Sequence, residues 1–162
     1  MRRHFFLFTL FSLISAPVAA EEVFLVKVSG TIEKGLAAFI GRVMDEAETD
    51  GAQAVIIEVD TPGGALDAAL TIRDALLYSE VKTIAFINPR AISAGALISF
   101  ATDHIVMVEG GTIGAATAVD MQGNKASEKV ISYFRNEMKA TAEKTGRSPE
   151  LAEAMVDEDV EI

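Results

Sequence analysis

The stretch AVIIEVDTPGGALDAALTIRDALL, residues 54–77, changes its periodicity part-way along and so decides the type of fold. AVIIEV (54–59) is a nearly continuous apolar, β-branched run, the pattern of a strand buried on both faces of a parallel sheet. Asp60-Thr61-Pro62-Gly63-Gly64 interrupts it with turn-forming residues, and from Ala65 to Leu77 the apolar positions recur at helical spacing. Strand, glycine turn and helix in that order make the first half of a βαβ unit. Open parallel sheets place ligand sites beyond the carboxyl ends of their strands, where this turn falls.

The alternation continues on both sides. VFLVKV (23–28) reads as a strand, and LAAFIGRVMDEAETDG (36–51) as a helix with Leu36, Ile40, Val43 and Ala47 on one face and Gly51 as its stop. Downstream, KTIAFI (82–87) is a strand, Asn88 to Ser93 a loop, Ser93 to Ala101 a short helix and HIVMV (104–108) a strand. EGGTIGAA (109–116), with Gly110, Gly111 and Gly114, reads as a loop. Ser127 to Lys144 is amphipathic, with Ile131, Phe134 and Met138 on one side and Gly146 beyond its end. Ser148 caps a further helix that has Pro149 in its first turn. This order predicts a single α/β domain, a parallel sheet with right-handed crossovers and helices on its faces. DEDVEI (157–162) carries no cap or closing strand, so the reading is of a domain truncated at its C-terminal end.

Residues 1–20 stand apart from this pattern. MRRHFFLFTLFSLISAPVAA has a basic start (Arg2, Arg3), an apolar stretch from Phe5 to Ile14 and the small-residue ending Val18-Ala19-Ala20, the order of a cleaved secretory signal with the cut before Glu21. The apolar stretch is far shorter than the roughly 20 residues that span a bilayer, and Pro17 follows it. No later segment is apolar for long enough to cross a membrane, since Arg90 and Asp103 interrupt the best candidate. The chain has 14 basic and 24 acidic residues, a formal net charge of −10, which becomes more negative when Arg2 and Arg3 leave with the leader. Nucleic acid is therefore not an expected partner. Without cysteine the protein has neither disulfides nor a thiol nucleophile nor cysteine-bound metal.

Two strand-end loops carry the candidate chemistry: Asp60 to Gly64 and Asn88 to Ser93. Paired glycines at a strand end free backbone N–H groups to face outward, which suits an oxyanion or anion site, although the same residues also make an ordinary tight turn. Ser93, followed by Ala94 and Gly95, stands where a helix N-cap would stand. It also stands where a nucleophile would have open surroundings and a helix start to stabilise negative charge. Only His4 and His104 exist. His4 is in the leader, and His104 begins a strand at the far end of the sheet from the two loops and reads as structural. That leaves a lysine, which serves as a base when burial lowers its pKa toward neutrality. Lys125, Lys129, Lys139 and Lys144 all qualify, and spacing does not choose among them. Ser79-Glu80-Val81-Lys82 matches S-x-x-K but joins a helix end to a strand rather than opening a buried helix. There is no G-x-S-x-G, phosphate-binding lysine loop or H-E-x-x-H, and no motif that calls for a metal or other cofactor.

Three segments together, VDTPGGALDAALTIRDAL (59–76), SAGALISFATDHIVMVEGGTIGAA (93–116) and KVISYFRNEMKATAEKTGR (129–147), resemble in order and spacing the N-terminal protease domain of NfeD-type membrane-bound serine proteases. That group belongs to the Clp protease/crotonase superfamily, beside the signal peptide peptidase A family. The resemblance runs from about Val23 to the end of the chain. It implies a ClpP/crotonase-like α/β fold of repeated ββα-type units, with a mostly parallel sheet flanked by helices, over residues 21–162. It also implies a serine endopeptidase with a Ser-Lys dyad: Ser93 in the SAG motif as nucleophile and Lys129, opening the K-x-x-x-Y-F helix, as base. The oxyanion would be held by the N–H groups of Gly64 and Ala94. An extended, apolar peptide would lie as an added strand along Gly63 and Ala65 and the loop of Ala115 and Ala116. Longer members of the group continue into transmembrane helices and a small β-barrel that this chain lacks. Stomatin-like membrane proteins are their expected substrates or partners, a homo-oligomer the expected assembly, and the periplasmic or extracytoplasmic face of the membrane the expected place. A non-catalytic scaffold for membrane complexes and a crotonase-type acyl-thioester enzyme are the alternatives.

Overall fold

A computed structural model of the chain describes residues 22–119 and 123–157. The leader expected over residues 1–20 and the last five residues of the chain lie outside these. The elements run β1 (Val23–Ser29), α1 (Lys34–Asp50), β2 (Ala54–Thr61), α2 (Leu66–Leu77), β3 (Lys82–Ile92), α3 (Ala94–Phe100), β4 (His104–Met107), β5 (Thr112–Gly114), α4 (Glu128–Lys144) and α5 (Pro149–Asp157). The strands pair in the order β1-β2-β3-β4, every pair parallel, and β5 joins the end of β3 beyond β4. The mostly parallel sheet flanked by helices is the expected fold class.

Sequential strand order with right-handed crossovers carries α1 and α2 to the same side of the sheet, and burial follows. On β2, Val55, Ile57, Val59 and Thr61 have no exposed surface, whereas Ala54, Ile56, Glu58 and Asp60 are only half-buried. β2 is thus buried fully on one face, not on both. The same alternation leaves Val23 and Leu25 of β1 and Val106 of β4 exposed on the other side. The helices supply the matching apolar layer. Ala37, Ile40, Met44 and Ala47 of α1 are buried, with Leu36 and Val43 at the flank. The buried stripe is thus turned slightly from the expected one, with Ala37 and Met44 in the places expected of Leu36 and Val43. Gly51 ends α1 in the left-handed conformation, φ 67°. Ser148 accepts the Leu151 N–H at 3.1 Å and so caps α5 as expected.

Two loops expected around the site are strand instead. β3 does not stop at Ile87 but runs through the cis Asn88–Pro89 peptide to Ile92. Thr112–Gly114 pairs with its extension from Arg90 to Ile92. Pairing between β2 and β3 shifts at the same place, from Val59↔Ile87 to Thr61↔Ala91. The backbone of the expected Asn88–Ser93 loop is therefore held in the sheet almost up to Ser93. Among the described residues no helix is long and apolar enough to cross a membrane.

Candidate active site

The carboxyl ends of β1, β2, β3 and β5 converge. After β2 the chain turns at Gly63 and Gly64 and touches the segment that leaves β1: Ile32 N–H donates to Gly63 O at 2.9 Å, and Ala65 N–H donates to Ile32 O at 2.9 Å. The approach is so close that a Cβ on Gly64 would fall 2.2 Å from the Ile32 carbonyl oxygen. Gly63, at φ 106°, packs on the next loop, and a Cβ there would lie 2.7 Å from Ser93 Cβ. The glycine pair is thus required by backbone contact as well as by the turn.

Ser93 does not cap α3. It has φ 55° and ψ −118°, with no side-chain bond to the helix. A non-glycine residue in that region is strained, and it is held there from both sides, by Gly63 and by its own N–H donating to Gly114 O at 2.8 Å. Ala94 and Gly95 are buried in the first turn of α3. Gly95 does not open the surroundings of Ser93, as its sequence context suggested, because the space beside its Cα is filled by Thr61 Cγ2. No hydrogen bond among the described residues engages the Gly64 N–H. Ala94 opens α3, where an N–H has no carbonyl one turn earlier to bond. These are the two donors expected of an oxyanion site.

Ser93, Gly64 and Ala94 line one cavity of about 890 Å³. Ala65 and Ala115, both expected to touch a peptide, are also on its wall, whereas Gly63 sits behind Ser93 and Ala116 is fully buried behind the wall. Ala116 N–H donates to Met155 O at 2.7 Å and Thr117 Oγ1 to Val156 O at 2.7 Å, so the end of α5 supports the loop after β5. Leu66, Ile92, Val119, Val130 and Phe134 make the cavity apolar. Phe134, on the apolar face of α4, thus also faces the site, and nothing in the local sequence marks Val119 or Val130 as wall residues.

The four lysines separate. Lys139 pairs with Glu153 at 3.2 Å, and Lys144 lies over the Tyr78 ring, 4.5 Å from its centroid. Lys125 lines the cavity, next to the bridge that pairs it with Val119, and its Nζ is 3.8 Å from Glu128. Lys129 is exposed in the first turn of α4, one residue before Val130 of the wall, and is not itself a lining residue. His104 pairs with Ile84 at the opposite end of the sheet, away from the cavity. Behind the cavity, Arg73 of α2 bonds Glu137 of α4. The Glu137 charge, with some desolvation, pushes the Tyr133 hydroxyl above the usual tyrosine range. At the start of α2, Lys34 holds the Asp67 carboxyl below its ordinary value.

The fold is that of the ClpP-like protease domains. ClpP1 of Listeria monocytogenes shares the fold at 20% identity, with a TM-score of 0.67 over 85% of this chain and 81% of that one. The sequence model of the NfeD1b N-terminal domain matches residues 22–162, and the chain belongs to that family. Membrane protein NfeD1b of Bacillus subtilis is 38% identical over 148 residues, 91% of this chain and 34% of the relative. Membrane-bound protease PH1510 of Pyrococcus horikoshii is 30% identical over 171 residues, all of this chain and 39% of the relative. The chain therefore spans little more than a third of the length of either. The 1510-N membrane-bound stomatin-specific protease, solved as a lysine-to-alanine mutant in complex with a substrate peptide, superposes with a TM-score of 0.83 at 30% identity, over 90% of this chain and 70% of that one.

Proposed function

We propose that residues 21–162 form a serine endopeptidase domain that cuts extended, apolar segments of membrane-associated proteins, a stomatin-like protein being the candidate substrate. The observation that carries this reading is Ser93: an uncapped serine with φ 55° on the wall of an apolar cavity, beside the Gly64 and Ala94 N–H groups. Ser93 Oγ attacks the scissile carbonyl carbon while its proton passes to a lysine amine. The oxyanion is held by Gly64 and Ala94 N–H. The lysine returns the proton to the leaving amine, and water then hydrolyses the acyl-enzyme by the same proton path. Lys129 is the base by resemblance. A peptide added along Ala65 and Ala115, with Gly63 and Ala116 supporting them from behind, would present its side chains to the apolar wall. The export signal, if cut after Ala20, leaves Glu21 as the first residue on N-terminal sequencing and places the domain outside the cytoplasm. The expected assembly is a homo-oligomer, and the expected membrane association runs through segments outside this sequence.

A second reading of the base rests on one observation: Lys125, not Lys129, lines the cavity. Fluorophosphonate labelling tests the nucleophile. Labelling mapped to Ser93 and lost in Ser93→Ala, together with peptide turnover, is the expected result. Turnover that survives in a folded Ser93→Ala protein overturns it, and acyl-CoA binding without labelling would favour thioester chemistry. A chain that does neither but assembles membrane partners would be a scaffold.

A further inference from the structure

Thr61 is a fully buried polar residue at the last position of β2, where the pairing with β3 shifts register. Its Oγ1 donates its only proton to the Gly30 carbonyl at 2.6 Å, and it accepts the Gly63 N–H at 3.0 Å. With that proton committed to Gly30, the 3.4 Å approach to the Gly63 carbonyl is not a second donated bond. Around the turn, the Gly63 N–H goes to Thr61, the Gly63 carbonyl to Ile32 and the Ala65 N–H to Ile32, so the Gly64 N–H is left as the turn's free donor. The other branch of the same side chain reaches the second half of the site. Thr61 Cγ2 is 2.5 Å from where a Cβ on Gly95 would stand, in the first turn of α3 beside Ala94.

We infer that Thr61 is the positioning residue of the oxyanion site. Its hydroxyl consumes the Gly63 N–H and fixes the turn so that Gly64 is the donor, while its methyl fills the space beside Gly95 in the turn that carries Ala94. The inference rests on the peptidase reading above. A misplaced donor weakens the interaction made in the transition state and leaves substrate binding largely unchanged, so the loss belongs in kcat rather than KM.

Two substitutions separate the two branches. Thr61→Val keeps the shape and removes the oxygen; Thr61→Ser keeps the oxygen and removes the methyl. With a fluorogenic apolar peptide, Thr61→Val is expected to lower kcat roughly 100-fold with KM within about threefold, and Thr61→Ser to stay within about fivefold of the parent in kcat. Gly95→Ala, which drives a Cβ into Thr61 Cγ2, should also lower kcat, and Thr61→Ser in that background should restore it because the obstructing methyl is gone. A Thr61→Val protein with near-parental kcat, or a Thr61→Ser protein as impaired as Thr61→Val, overturns the inference. If Thr61→Val does not fold, the Gly95→Ala pair decides, and failure of the second change to rescue the first overturns it. Parental protein that neither labels at Ser93 nor cuts peptide defeats the peptidase reading itself. Parental activity with an indifferent Thr61 defeats only this inference.

Discussion

Ser93 is held in a conformation that its own chemistry disfavours, by the Gly114 carbonyl on one side and by the close packing of Gly63 on the other. A methyl on Gly63 would meet Ser93 Cβ at 2.7 Å and would also have to adopt φ 106°, so Gly63→Ala is expected to displace Ser93. Peptide turnover and fluorophosphonate labelling should both fall by about a hundredfold or more, the scale of a lost oxyanion donor. A folded variant that labels normally would show that the contact does not set the serine's position. At the base, Lys129→Ala should abolish turnover, while Lys125→Ala should leave it nearly unchanged. The reverse result would move the base to the lysine on the cavity wall. The choice was not legible in the sequence, because spacing along the chain does not tell which lysine reaches the cavity wall. The strain at Ser93 was equally hidden: serine before a short helix is also the pattern of a cap, and only the backbone angles distinguish the two. What could be read was the pairing of a glycine turn with a serine at neighbouring strand ends.

Among the elements, α4 carries the site's far wall and is tied to α2 by one ion pair. Arg73 and Glu137 are bonded between the two helices, with side chains only 12% and 21% exposed, and Arg73 also reaches Asp74 at 3.1 Å. Glu137→Ala leaves the guanidinium largely buried with only that exposed partner, so a loss of about 3 kcal/mol in unfolding free energy is expected by denaturant titration. The same change removes the main cause of the raised Tyr133 pKa, and ultraviolet titration should show that phenol ionising at lower pH. An unaltered titration would mean that Glu137 does not govern this side of α4. The helices themselves were legible, because apolar residues at 3.6-residue spacing and stops such as Gly51 and Gly146 act locally. The extension of β3 and the three-residue β5 were not. Their pairing comes from neighbouring strands, and a short glycine-flanked segment has no periodicity to read.

At the scale of the molecule, the parallel sheet could be anticipated from alternating elements, but the side on which its helices lie followed only from strand order. The backbone links that tie the parts of the site together join distant parts of the chain: Ile32 to Gly63, Ser93 to Gly114, Ala116 to Met155. Local structure can therefore form while no site exists, and parallel pairings of this kind are slow to assemble. On refolding from denaturant, helical circular dichroism should recover before Ser93 accepts the fluorophosphonate. Simultaneous recovery of the two signals would contradict this. The interlock of Gly63 with Ser93 then acquires a second meaning. An extended chain carries the serine, the glycines and the lysines but not their arrangement, so any reactivity of Ser93 would belong to the closed sheet alone and be absent from the chain until it has folded.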